Sequence, residues 1–281
     1  MSRKKKNTKG FSGLTALFSV ISVLYVLPLG IVLLNAFKKK VYISRYPFKL
    51  PDEKSFAGIR NFTEGIEKTQ FIKAFFGSLI ITVLSVFLII LCTSMCAWFI
   101  TRVQSRLTKA LYFLFVFSMV VPFQMVMFTL SKVADTLRLN NPLGISVVYL
   151  GFGAGLAVFM FSGFIKSVPV EIEEAAAIDG CSPVRTFFRV VLPILKPTLI
   201  SVTILEVMWI FNDYLLPYLV LDRRKYTTIP IAVQYLRGGY GSVDMGAMMA
   251  VLALSLVPVL AFYFLLQKHI VKGVAAGAVK G

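Results

Sequence analysis

Glu171-Ile172-Glu173-Glu174-Ala175-Ala176-Ala177-Ile178-Asp179-Gly180-Cys181-Ser182-Pro183 lies between two long apolar runs and is unlike either. It continues as Val184-Arg185-Thr186-Phe187-Phe188-Arg189-Val190-Val191-Leu192-Pro193-Ile194-Leu195-Lys196-Pro197. The composition predicts a short helix rich in carboxylates and alanine, an Asp-Gly break, and a second short amphipathic helix stopped by two prolines. Acidic residues favour the first turn of a helix, where they meet the positive end of its dipole. Consecutive alanines form helix readily and leave a smooth face. Gly180 can take the left-handed conformation that ends the first helix. Such an element presents a compact knob that another protein can grip.

The surroundings of this knob are membrane-like. The chain has 281 residues, 57% of them hydrophobic and only 15% charged, a balance that a soluble domain of this size rarely shows. Charge-free windows run over 10–37, 74–101, 110–131, 139–165 and 245–267. Each exceeds the roughly 20 residues that cross a hydrocarbon core of about 30 Å. A further run, Thr198 to Leu221, is interrupted by Glu206 and Asp213, which makes six spans in all. The first follows Arg3-Lys4-Lys5-Lys6, yet it is longer than a signal-peptide core and no small-x-small cleavage site closes it. A retained signal-anchor span with a basic tail is expected.

The knob resembles the EAA motif of ATP-binding-cassette (ABC) importer permeases: Glu174-Ala175-Ala176, then Asp179-Gly180, then Leu192-Pro193, with Pro197 beyond. In that family this stretch is a cytoplasmic coupling-helix pair that docks into a groove on the ATP-hydrolysing subunit. The resemblance therefore implies ATPase-coupling roles for Glu174, Ala175, Ala176, Asp179, Gly180, Pro183, Leu192 and Pro193. A second resemblance lies at the C-terminus. Lys272-Gly273-Val274-Ala275-Ala276-Gly277-Ala278-Val279-Lys280-Gly281 is similar to the KGxxAGAxKG ending of the carbohydrate-importing branch, its MalG-like half. Phe56-Ala57-Gly58-Ile59-Arg60-Asn61-Phe62 is similar to the family's Asn-Phe lead-in to the core.

Lysines and arginines divide evenly between the two sides of a six-span chain, so the positive-inside rule gives no orientation. The basic N-terminal cluster and the implied cytoplasmic place of the Glu174 loop do agree, and together they put both termini inside. The expected organisation is a basic cytoplasmic tail (1–10), a first span (11–37) and an extracytoplasmic loop (38–73). A permease core with the other five spans (74–267) comes next, carrying the coupling helices (171–190), and a cytoplasmic tail (268–281) ends the chain. The resemblance implies an all-α membrane protein of the type I ABC importer permease fold, in a bacterial or archaeal plasma membrane. Its expected partners are a second homologous permease subunit, two ATP-binding-cassette ATPase subunits, an extracytoplasmic sugar-binding protein and membrane lipid. The net charge of +17 suits anionic headgroups, and no soluble basic domain exists to hold nucleic acid.

Catalytic and cofactor chemistry has little to stand on. No Gly-x-x-x-x-Gly-Lys-Ser/Thr loop occurs, so an ATP site is expected only on a partner. Cys92, Cys96 and Cys181 have no disulfide or metal-ligand spacing, and His269 is the only histidine. Gly151-Phe152-Gly153-Ala154-Gly155 sits in a lipid-length run, where Gly151 and Gly155 are expected to form a GxxxG packing face. No catalytic residue, cofactor or metal is expected.

The substrate-pathway candidates are Phe123, Gln124, Glu206, Trp209, Asn212 and Asp213. A charge at mid-membrane costs roughly 2.5–3.5 kcal/mol on insertion scales, so Glu206 needs a partner or water. It either faces a wet cavity or a partner subunit, or is a structural carboxyl packed in the bundle; both readings stay open. Sugars need a few planar hydrogen-bonding groups beside aromatic faces, and Gln124 with Phe123, and Asn212 with Trp209 and Tyr214, are pairs of that kind. The family's Trp-Asn-Asp cluster is altered here, because Phe211 precedes Asn212. The function implied is the permease subunit of an ATP-driven importer of a mono- or oligosaccharide, working by alternating access. An ABC permease for an amino acid or peptide is the alternative, and a secondary transporter a more distant one. An intramembrane protease would need a Ser-His or Asp-Asp pair that is not present.

Overall fold

The computed structural model describes residues 8–236 and 243–278, with side chains described for 13–236 and 243–267. Arg3-Lys4-Lys5-Lys6, Gly238-Gly239-Tyr240-Gly241, Val279-Lys280-Gly281 and the side chains of His269 and of 272–278 lie outside them. Helices α1 (Thr8–Ala36), α2 (Lys40–Arg45), α3 (Arg60–Thr69) and α4 (Phe71–Arg102) come first. They are followed by α5 (Arg106–Ser118), α6 (Phe123–Thr136) and α7 (Pro142–Ile165). Next are α8 (Glu171–Ile178), α9 (Pro183–Thr186), a π-helical turn (Phe187–Val191), α10 (Leu192–Ile194) and α11 (Lys196–Asn212). The last are α12 (Leu215–Val220), α13 (Ile229–Gln234) and α14 (Met245–Ala278). The protein has the all-α membrane architecture that the sequence predicts.

Among the described residues, four helices are long and apolar enough to cross a membrane: α1, α4, α7 and α14. Two bent pairs raise the number to six if each counts as one span: α5 with α6, at 105°, and the 183–194 segment with α11, at 78°. The first bend has a local cause. Pro122 cannot donate an N–H, and it stands in extended conformation at the start of α6. The run from Thr198 to Leu221, expected as one span, is also broken. Asp213 is extended, its Oδ1 accepts the Leu215 N–H at 2.9 Å, and α12 begins there. A carboxylate two residues before a free N–H offers the chain an alternative to helix.

The described chain divides into two compact units, one made of residues up to 71 with 233–258, the other of 72–232 with 259 onward. In the first, the apolar side chains of α1, among them Phe18, Val23 and Tyr25, are exposed, as suits a helix whose solvent is lipid. Its end is tied down by polar contacts. Asn61 Nδ2 donates to the carbonyls of Ala36 and Lys38 at 2.9 and 2.8 Å. Buried Lys38 donates from Nζ to the Tyr46 and Pro47 carbonyls. The 38–73 loop carries a single antiparallel bridge, Lys38 to Phe56, and the two short helices α2 and α3. Lys68 of α3 pairs with Asp244 at 2.6 Å.

The second unit holds the larger core. α7 packs against α5 and α11 through Ile145, Tyr149, Val158, Phe161 and Val202, all buried. Small residues on α7 permit the approach, but not the pair expected. A Cβ on Gly155 would meet the Phe115 carbonyl and Met119, and one on Gly153 would meet Ile89 and Glu206, whereas Gly151 faces open space. The packing face thus runs through Gly153 and Gly155. Helices α5 and α7 are both started by side chains, whereas α6 is not. Ser105 and Thr108 form a reciprocal capping box at α5, and Asn141 accepts the Gly144 N–H at α7.

Candidate functional site

The 171–197 stretch forms two helical arms around a tight turn. Three carboxylates, Glu171, Glu173 and Glu174, occupy the first turn of α8. The helix ends at Gly180, whose φ of 79° lies in the left-handed region. The Cys181 N–H donates to the Ala176 carbonyl and the Gly180 N–H to that of Ala177, the paired bonds of a Schellman end. Ser182 then starts the second arm: its Oγ accepts the Arg185 N–H and Pro183 takes the first helical position.

The second arm departs from the expectation. Pro193 does not stop it. The Leu192 N–H donates to the Phe187 carbonyl, five residues back, so the chain takes a π turn and continues through Pro193 to Ile194. A proline has no N–H to close the next α-helical bond, and a one-residue shift in bonding register accommodates the gap. The bend comes at Leu195, and Pro197 stands in the first turn of α11.

The two arms have distinct faces. Glu174, Ala175, Asp179, Pro183, Arg185 and Arg189 are exposed, and so are the apolar Ile178 (86%) and Val184 (61%). Ala176, Thr186, Phe187 and Val191 are buried, and Leu192 is half-buried. Glu173 turns toward the buried side. Its Oε1 accepts Arg102 Nε at 2.9 Å and Arg102 Nη2 at 2.7 Å, while its Oε2 accepts Trp98 Nε1 at 2.8 Å. Arg102 Nη2 also donates to the Val168 carbonyl at 3.0 Å, and the Trp98 ring lies 5.7 Å from that of Phe187. Glu173 is not among the residues that the sequence singles out. The signal for it is helical phase: Glu173 and Ala176 share a face three residues apart, whereas Glu174 points elsewhere.

The substrate-pathway candidates separate into groups. Trp209 and Asn212 fall on an exposed stripe of α11 with Leu205 and Met208, and Asn212 Nδ2 donates back to the Met208 carbonyl. Glu206 lies on the other face, with Val202 and Ile210; it is 1% exposed, and its Oε2 has no hydrogen-bond partner. Asp213 is committed to structure, accepting Tyr149 Oη at 2.9 Å on Oδ2 besides its bond to Leu215. Tyr149 also meets Trp209 edge to face at 5.5 Å, a residue that the apolar run around it gives no means of singling out. Phe123 packs edge to face on Phe152, and Gln124 beside it is exposed. Among the described residues, no group of histidine, cysteine or carboxylate side chains is arranged to hold a metal.

Known proteins resemble this chain in sequence and in architecture. Residues 89–276 match the family described as binding-protein-dependent transport system inner membrane component. The chain is 38% identical to the probable starch degradation products transport system permease protein AmyC of Thermoanaerobacterium thermosulfurigenes, covering 95% of this chain and 96% of that one. It is 31% identical to the multiple sugar-binding transport system permease protein MsmG of Streptococcus mutans, over 99% and 100%. With the melibiose/raffinose/stachyose import permease protein MelC of Bacillus subtilis it shares 30%, over 98% of each. A crystal structure of a bacterial ABC transporter involved in the import of the acidic polysaccharide alginate contains a chain of the same fold, with a TM-score of 0.79 at 18% identity, covering 95% of this chain and 99% of that one. With a match over two thirds of its length and full-length relatives, this multi-pass membrane chain belongs to the binding-protein-dependent transport system inner membrane component family.

Proposed function

We propose that this chain is one permease subunit of an ATP-driven importer that carries a mono- or oligosaccharide into the cell. The observation behind the coupling half of this reading is the exposed tip of the 171–190 pair. Glu174, Ala175, Ile178 and Asp179 on the first arm and Val184 on the second are all exposed, apolar and acidic side chains together, on either side of the Schellman turn. Ile178, 86% exposed, and Val184 give that tip apolar side chains that a partner could cover. The partner of fitting chemistry is an ATPase subunit with an apolar groove and a basic rim, one for this chain and one for a second, homologous permease. Both termini and the pair then face the cytoplasm, and an extracytoplasmic binding protein delivers the sugar. ATP-driven closure of the ATPases displaces the pair and exchanges inward- for outward-facing states. Hydrolysis belongs to the ATPases, and this chain supplies a lever and half of the pathway.

The sugar assignment is supported by relatives named for starch degradation products, multiple sugars and raffinose-type oligosaccharides. Within the chain, Trp209 and Asn212 on the exposed stripe of α11, with Phe123 and Gln124, offer the aromatic face and amide groups that a sugar requires. Capture of the complex through a tag on this chain tests the coupling half. Glu174→Ala should lower the ATPase recovered about tenfold, since a charged hydrogen bond contributes roughly 1.5–3 kcal/mol, and Glu171→Ala should lower it much less. Equal, negligible losses would remove Glu174 from the interface. Ser182→Cys in a cysteine-free background should resist an impermeant thiol reagent in whole cells and react in inverted vesicles. Loss of maltodextrin or raffinose uptake on deletion of the gene, with amino-acid uptake unchanged, tests the substrate class.

A further inference from the structure

α4 is gripped at both ends. At its Arg102 end, Trp98 and Arg102 hold both arms of the coupling pair: Glu173 of α8 through three hydrogen bonds, and Phe187 of the second arm through ring contact. The joint is nearly dry, with side-chain exposures of 19% for Arg102 and 11% for Glu173. Both oxygens of the carboxylate are used, and the guanidinium binds through two nitrogens. That geometry fixes angle as well as distance, unlike a point contact. At the other end the helix meets the segment before α13. The Ile229 N–H donates to Ser78 Oγ at 2.9 Å in a buried position. A Cβ at Gly77 would fall on the Thr227 carbonyl, so backbone lies directly against backbone there.

The helix has 32 residues and no proline, and the stretch between these grips, from Ser78 to Arg102, spans about 36 Å at 1.5 Å per residue. A proline-free helix of this kind transmits displacement along its axis with little loss, because kinks concentrate at proline, π bulges and inserted water. We infer that Glu173, Arg102 and Trp98 form the joint through which the coupling pair moves α4, and that α4 carries this movement to the Tyr226–Ala232 segment. The inference rests on the reading of 171–190 as the ATPase-docking element. Glu173 is a positioning residue: it touches neither ATPase nor substrate, and Glu174, the next residue, faces outward for docking. The run of adjacent carboxylates thus divides its labour by helical phase.

The test uses the whole transporter, captured through a tag on this chain, with Cys92, Cys96 and Cys181 replaced and Thr227→Cys as reporter. Maleimide labelling of that thiol is compared without nucleotide and after trapping with Mg-ATP and vanadate. In the parent protein the two rates should differ about fivefold or more. Glu173→Gln, which keeps volume and removes charge, should erase the difference while the ATPase remains bound and hydrolyses ATP. Gly77→Ala should erase it from the other end, and the exchange Glu173→Arg with Arg102→Glu should restore it. Trp98→Phe keeps the ring on Phe187 and removes the N–H, a milder variant whose difference should fall part of the way.

An unchanged difference in Glu173→Gln overturns the joint. Loss of ATPase from that variant also overturns it, by making Glu173 a docking residue. A parent complex that binds ATPase and shows no difference at Thr227→Cys overturns the role of α4. A parent that binds no ATPase refutes the docking reading itself, and the joint with it.

Discussion

Two acidic side chains in the same compact unit have opposite surroundings. Glu173, at the Arg102 end of α4, collects three hydrogen bonds from two residues. Glu206, in the body of α11, is almost fully enclosed, and its Oε2 has no partner at all. One carboxylate is built into its place by charge and direction, the other by the absence of a Cβ on Gly153. The lesson concerns what burial means in a membrane bundle. A nearly dry site near a helix end can hold a bidentate ion pair. A site among apolar helices accepts a carboxyl by shape and leaves one of its oxygens without a partner.

The largest effect that would break this comparison is expected at the ion pair. Glu173→Ala strands the Arg102 guanidinium in a site only 19% exposed. Removing one member of a buried pair costs about 3–5 kcal/mol, and thermal unfolding of the purified complex should register a loss near the lower figure. Arg102→Ala added to it should recover part of that loss, and a double mutant no better than Glu173→Ala would show that the pair is not the cause. A smaller effect is expected at the glycine under Glu206. Gly153→Ala forces Ile89 or the Glu206 carboxyl to move, at about 1–3 kcal/mol, whereas Gly151→Ala meets nothing within 4 Å and should be neutral or slightly stabilising. Equal costs at both positions would return the packing face to Gly151. The smallest change is expected for Glu206→Gln. With no bond at Oε2 to lose, its stability should stay within about 0.5 kcal/mol of the parent, the range of substitutions that disturb no specific feature. A larger loss in the same unfolding measurement would reveal an ionic partner for that carboxylate.

Much of the fold is legible in the sequence because it is local or compositional. Span length comes from charge-free windows, and the end of α8 from a glycine that can take positive φ. The break before Phe123 comes from a proline. The features that escape the sequence depend on which side of a helix meets which neighbour. Glu173 and Glu174 are adjacent in sequence and differ by about 100° around the helix, yet only the position of Arg102, 71 residues earlier, decides that the first faces inward. Asp213 reads as a pathway candidate through its place in the family's altered Trp-Asn-Asp cluster, which says nothing of its neighbours. Here Tyr149 and the Leu215 amide satisfy it from within the protein. Pro193 reads as a terminator, since the remedy, a shift to five-residue bonding, requires neighbours that already hold Phe187 and Val191 in place.

The π turn at Phe187–Val191 sets a clock hand. It places one more residue in its turn than an α-helix would, and each residue of helix rotates the chain beyond it by about 100°. The extra residue is absorbed in the wider turn, so the side chains before Phe187 and after Val191 keep the faces that ordinary α-helical bonding would give a chain one residue shorter. Deleting a single residue within 187–191 removes that extra step, and Pro193 then meets the carbonyl four residues before it in ordinary α-helical register, at a cost of about 3 kcal/mol. Proline and π turn in this arm therefore stand or fall together.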